Sequence, residues 1–173
     1  MTDNPINRVR RQDRACDDAW IAGFFARAQV GHLATRWEDQ PFITPLIFWY
    51  DPQQHEIYIH HTNKGGRLHT NVERFKRVCF EASEMGKLIP ADTALEFGMQ
   101  YQSAVAFGDI RLVEDGDEKR RILYGLIEKY FPGLQPGQDY RPITEGELER
   151  TAVFAIAIDS WSGKRSERTT ELS

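Results

Sequence analysis

Apolar residues recur along the chain with two different periods, and the changes of period mark out its elements. Trp20, Ile21, Phe24, Phe25 and Ala28 follow helical spacing behind Asp17 or Asp18, either of which can cap a first turn, so a helix burying one face is predicted there. From Val30 the pattern is extended. Runs over residues 30–37, 41–50 and 56–61 are separated by Glu38-Asp39-Gln40 and Asp51-Pro52-Gln53-Gln54, the layout of an antiparallel meander. Pro41 and Pro45 lack ladder donors, which places the second run at a sheet edge or a bulge. A short helix is expected over residues 66–75 and a strand over 77–83, where Val78, Phe80 and Ala82 alternate. Residues 84–96 read as an irregular connection, and 97–113 as a strand bending near Gly108. Asp115 and Glu118 open a helix whose apolar face is Ile122, Leu123, Leu126, Ile127, Tyr130 and Phe131. After a loop over 132–142, Thr144 and Glu147 form a capping box, and residues 153–158 make a last strand. Six strands with helices at the ends and in one crossover predict a mainly β fold with flanking helices, a small antiparallel barrel.

The length of 173 residues, with 40% hydrophobic and 28% charged positions, fits one domain over residues 1–173, with a basic N-terminal arm (1–14) and a polar C-terminal tail (162–173). A formal net charge of −4 removes the general attraction to nucleic acid or anionic membrane, so the expected partner is a small molecule. The arm carries Arg8, Arg10, Arg11 and Arg14 and is read as a solvated or dimer-wrapping segment. The opening residues contain no apolar run and no spanning segment is visible, which makes the cytoplasm the expected location. Cys16 and Cys79 lack the clustered spacing of a zinc site and read as free thiols.

Chemistry concentrates in residues 60–71, where His60, His61, Thr62, Asn63, Lys64, Gly65, Gly66, Arg67, His69, Thr70 and Asn71 gather donors and cations at a strand-to-helix turn. Glycines let backbone N–H groups approach a ligand, and the first turn of the following helix leaves such groups unpaired, so this is a candidate phosphate site. Alternation along the preceding strand, with Ile57 and Ile59 inward, sends Tyr58, His60 and Thr62 outward and His61 to the other side. No His-Glu-x-x-His, nucleophile-elbow, phosphate-loop or dinucleotide-fold motif occurs, so neither a metal hydrolase nor a serine hydrolase is indicated, and no metal site is expected.

Read in order, Val30-Gly31-His32-Leu33-Ala34-Thr35, Gln40-Pro41-Phe42-Ile43-Thr44-Pro45-Leu46, Ile57-Tyr58-Ile59-His60 and Arg77-Val78-Cys79-Phe80-Glu81 resemble the successive strands of an FMN-binding split barrel of the pyridoxamine 5'-phosphate oxidase-like family. The 60–68 segment and Tyr101-Gln102-Ser103-Ala104-Val105-Ala106-Phe107-Gly108 are most similar to its nitroimidazole-resistance branch, and the resemblance runs from Arg10 to Lys164. It implies an antiparallel six-stranded split β-barrel of Greek-key type and a homodimer holding two FMN molecules at the subunit interface. It further implies that Thr44, Pro45 and Leu46 lie along the flavin ring and that His60, His61 and Thr62 edge the cofactor. Lys64, Arg67 and Asn71 would meet its phosphate and ribityl chain, with Ser103, Trp161 and Lys164 supplied by the partner subunit. Relatives carry lysine where Arg67 stands, which keeps the charge. The arginine-rich clamp of the true pyridoxamine phosphate oxidases is missing from Trp161-Ser162-Gly163-Lys164-Arg165, so vitamin B6 oxidation is not expected.

The resulting expectation is an FMN-dependent oxidoreductase reducing an electron-poor nitro-compound or quinone, with His60 as the candidate proton donor. Two alternatives stand beside it: a haem-binding or haem-handling protein on the same barrel, using a histidine as axial ligand, and a flavin-binding protein without turnover.

Overall fold

A computed structural model describes residues 7–169. Its strands are β1 (Ala15–Cys16), β2 (Gly31–Trp37), β3 (Gln40–Leu46), β4 (Trp49–Asp51), β5 (Glu56–Thr62), β6 (Arg77–Ile89), β7 (Gly98–Val113) and β8 (Thr151–Ser166); its helices are α1 (Asp18–Arg27), α2 (Arg67–Arg74), α3 (Gly116–Tyr130) and α4 (Glu145–Arg150). All pair antiparallel in one sheet of order β3-β2-β6-β7-β8-β5-β4, with β1 added alongside β8. The antiparallel class therefore holds, with eight strands in place of six.

The expected meander is broken. β2 pairs with β3 and β4 with β5, but β3 and β4 lie at opposite ends of the sheet. The chain leaves one end after Leu46 and enters the other at Trp49, because Phe48 between them is fully buried in the core. The two prolines sit on β3, an edge strand, where a missing donor costs no ladder bond. β6 and β8 outrun their predicted limits. Residues 84–89 are strand because β7 offers them a ladder, with an irregularity between Met85 and Leu88. Residues 162–166, assigned to a polar tail, are strand because β7 flanks them on one side and, at Gly163 and Lys164, β1 on the other. Pairing partners override local composition in both places.

The core lies between α1 and the inner sheet face. Phe24, Phe25, Leu33, Phe48, Phe80, Ile57, Ile59, Phe154 and Ile156 are buried there, each contributing about 1.5–3 kcal/mol. The Asp17 carboxylate accepts from Trp20 N at 2.8 Å and starts α1 in the register that turns Ile21, Phe24 and Phe25 inward. A Cβ on Gly108 would stand 2.0 Å from Ala157 O, so only glycine permits the close β7–β8 approach at the bulge. A second, smaller core lies outside the sheet, where Ile122 and Leu126 of α3 cover Tyr58, Val113, Val153 and Ala155. Asp115 caps α3 by accepting from Glu118 N at 2.8 Å. Arg121 anchors it to the sheet through Asp51 Oδ2 (2.7 Å) and the Tyr58 hydroxyl (2.9 Å). Burial pushes the Tyr58 phenol up to about 12, and its proton goes to Glu56 Oε2 at 2.6 Å. No helix among the described residues is long and apolar enough to cross a membrane.

Candidate functional site

Strand β5 carries the candidate chemistry on both faces. On leaving it, the chain turns through Thr62–Gly66 into α2, with Gly65 at φ +78° and Gly66 at φ +114°. Non-glycine residues rarely adopt these angles, and no atom lies within 4 Å of a Cβ built at either position, so the turn presents bare backbone. Gly66 precedes α2 without a capping side chain, leaving the first-turn amides free to donate. Asn63 fixes the turn from behind, its backbone N–H reaching Arg150 O and its Nδ2 reaching Glu149 O, both at 2.9 Å. Thr62 O is held by His69 Nε2 at 3.0 Å. Lys64 and Arg67 are exposed, and neither has a carboxylate partner among the described residues. The Arg67 guanidinium lies 4.5 Å from the Phe42 ring centroid, which links the turn to β3.

The other predicted residues separate by face. Thr44 and Leu46 are half-buried and alternate with exposed Pro45, so no single surface is formed by all three. Asn71 is 1% exposed and donates to Thr35 Oγ1 at 2.9 Å, which occupies it as a packing residue. His61 faces the α2 side, 6.1 Å from His69 ring to ring. Ser103 and Lys164 are directly paired across β7 and β8 and share a small cavity. Trp161, three residues before Lys164, turns the other way: its Nε1 donates to Asp18 Oδ1 at 2.8 Å and its ring packs on Phe25.

His60 does face outward as expected, but what covers it is α3 of its own chain. It lines a cavity of ≈ 580 Å³ walled by Ile47, Leu123, Leu126, Ile127, Tyr130 and Phe131, with Tyr140, Arg141, Ile143, Glu147 and Thr151 completing the lining. His60 Nδ1 is buried with no hydrogen-bond partner among the described residues. Burial, followed by neighbouring His61, lowers its pKa, so the ring is neutral at pH 7 and has a free lone pair or N–H for a ligand. The helical period of α3 marks Leu123, Ile127 and Tyr130 as packing residues, and nothing in that period distinguishes a packed face from a cavity wall. Tyr140 and Arg141 come from a segment that gave no signal beyond its prolines and glycines.

A curled antiparallel sheet with an uncapped glycine turn on one face of β5 and an apolar cavity on the other defines a split-barrel protein with room for extended ligands. The family model for pyridoxamine 5'-phosphate oxidase matches residues 17–165, and the chain belongs to that family. Among solved structures, the fold is similar to a flavocytochrome from Azotobacter vinelandii (TM-score 0.83, 25% identity, covering 96% of this chain and 75% of that one). It is also similar to an FAD- and haem-binding protein from Mycobacterium smegmatis (0.79, 23%, 91% and 75%). A 5-nitroimidazole antibiotic resistance protein from Bacteroides thetaiotaomicron, so described, aligns likewise (0.71, 22%, 87% and 86%). No protein of curated function matches the sequence.

Proposed function

We propose that the protein is a flavin-dependent oxidoreductase that binds FMN and reduces a small electron-poor organic molecule of the nitro or quinone type. The observation that carries this reading is the uncapped α2 N-terminus, open at Gly65 and Gly66 and flanked by the exposed cations Lys64 and Arg67. That donor set suits a phosphate dianion: backbone amides supply directed hydrogen bonds, and the guanidinium can add a bidentate contact. A bound flavin would supply the electron-transfer chemistry. The chain's own part is to hold the phosphate with Lys64 and Arg67, to fix the turn through Asn63, and to edge the cofactor with His61 and Thr62. A second copy completes the site. Exposed Met85, Leu88, Leu95, Phe97 and Met99 cluster on the β6–β7 hairpin and its connection, an apolar surface that a homodimer would cover. Fluorescence titration with FMN, and in parallel with FAD because the similar Mycobacterium smegmatis protein is described as FAD-binding, tests the reading. Saturable quenching supports it, and its absence from both titrations overturns it.

A second reading is favoured by His60. An imidazole nitrogen without a partner among the described residues, in a mainly apolar cavity of ≈ 580 Å³, is a donor that fits haem. Relatives described as a flavocytochrome and as an FAD- and haem-binding protein agree with it. Haem titration checks this directly: a Soret shift present in the wild type and absent in His60→Ala supports it, and no shift in either disposes of it.

A further inference from the structure

Helix α2 borders a hollow that neither the flavin nor the haem assignment uses. Its floor is formed by Val72 of α2 with Ile110 and Phe154 of the sheet, all buried, and its volume is ≈ 340 Å³. Leu112, paired with Phe154 across β7 and β8, stands in the wall with 45% of its surface exposed. A large apolar side chain left open beside an apolar floor gains free energy when a ligand covers it. His69 closes one side: its ring meets Phe154 edge-on at 5.0 Å, and its Nε2–H donates to Thr62 O at 3.0 Å.

Charge of both signs surrounds this apolar base, because Glu73, Lys76, Arg111 and Glu114 also line the hollow. The Arg111 guanidinium is already engaged by Glu56 Oε2 at 3.2 Å and Glu118 Oε1 at 2.8 Å, so it offers only its aliphatic stem. The other three have no ion-pair partner among the described residues. Glu73 and Lys76 are three positions apart, a spacing at which opposite charges on a helix usually meet. They do not meet, because α2 ends at Arg74 and Lys76 lies beyond its C-cap, Phe75. Two carboxylates and one ammonium therefore border the same small space without neutralising one another.

We infer that this hollow binds a free α-amino acid with an apolar side chain. The ligand's ammonium meets Glu73 and Glu114, its carboxylate meets Lys76, and its side chain lies on Val72, Leu112 and Phe154. Opposite charges on one small molecule match the opposite charges of the rim, whereas a simple anion or a simple amine satisfies only one sign and is repelled by the other. The volume is close to the lower limit of about 300 Å³ for small-molecule pockets, which suits a single amino acid. None of these contacts is a residue assigned to the flavin or to haem, so the site stands apart from both.

Calorimetric titration of the full chain at neutral pH with L-leucine and L-phenylalanine tests this, beside two truncated probes. Isocaproate is leucine without its ammonium, and isoamylamine is leucine without its carboxylate. Saturable binding of at least one amino acid is expected, tenfold or more tighter than that of either truncated probe. It is expected to weaken tenfold or more in Lys76→Ala and in Glu73→Gln, to recover in Lys76→Arg, and to stay unchanged in Arg67→Ala. Glu73 and Lys76 are exposed, so both variants should fold, which circular dichroism checks. No saturable binding of either amino acid, equal affinity for leucine and a truncated probe, or wild-type affinity in both Lys76→Ala and Glu73→Gln overturns the inference. Loss of FMN binding in Arg67→Ala with amino-acid binding intact leaves it standing, so the two proposals fail separately.

Discussion

Arg67 occupies the first helical position of α2, where a cation opposes the helix dipole unless it serves an anion. Replacing it with alanine is expected to weaken FMN binding by about 1.5–3 kcal/mol, the range for a charge-assisted hydrogen bond, with the melting temperature nearly unchanged because the side chain is exposed. Gly66→Ala acts differently. At φ +114° a Cβ is strained even with open space around it, so a stability loss of about 1 kcal/mol or more is expected in chemical denaturation, together with weaker flavin affinity. His60 gives a pH signature. Its folded pKa is lowered by burial, so on acidification the unfolded chain takes up the proton first. Stability is therefore retained above pH ~6.5 and lost as pH falls from there toward the depressed folded value. Denaturant midpoints between pH 7 and pH 5 should fall less in His60→Leu than in the wild type. Equal slopes in both proteins would show that the imidazole is not held neutral.

At the scale of elements, α3 decides what His60 can meet, and Lys129 helps to seat it. Lys129 Nζ donates to Phe25 O at 3.1 Å and lies 3.5 Å from the Phe48 ring centroid, with burial lowering its pKa from 10.5 to about 7. Because the unfolded lysine titrates near 10.4, stability should rise as pH increases from about 7 to about 10 and stay level below 7. Lys129→Met should flatten that slope, which urea denaturation across the range would read. The helices and their caps were legible in sequence, since Asp17, Asp115 and the Thr144–Glu147 box are local signals acting over three residues. The bend at Gly108 was equally local and is realised as the β7–β8 register shift. Strand limits were not legible. Residues 84–89 carry no regular alternation and 162–166 are polar, and only a partner strand brought from elsewhere in the chain makes them extended. The same limit applied to the site. Gly65, Gly66, Lys64 and Arg67 are contiguous and could be read together, whereas the cavity over His60 joins β5 to residues some eighty positions later.

In the whole molecule, the sheet edges and the β6–β7 hairpin leave Met85, Leu88, Leu95, Phe97 and Met99 uncovered. The proposed homodimer would cover them with a second copy. Light scattering is expected to give twice the chain mass, and Leu88→Lys with Phe97→Lys is expected to give monomers with weakened flavin binding. Monomeric wild-type protein with flavin bound would remove the dimer from the account. The central claim is that the α2 turn holds a flavin phosphate, and the most direct measurement compares FMN with phosphate-free riboflavin by fluorescence quenching in the wild type and Arg67→Ala. The account predicts that the wild type binds FMN much more tightly than riboflavin and that the substitution removes most of this difference. Equal affinity of the wild type for both ligands, or a preference for FMN untouched by the loss of Arg67, would contradict it.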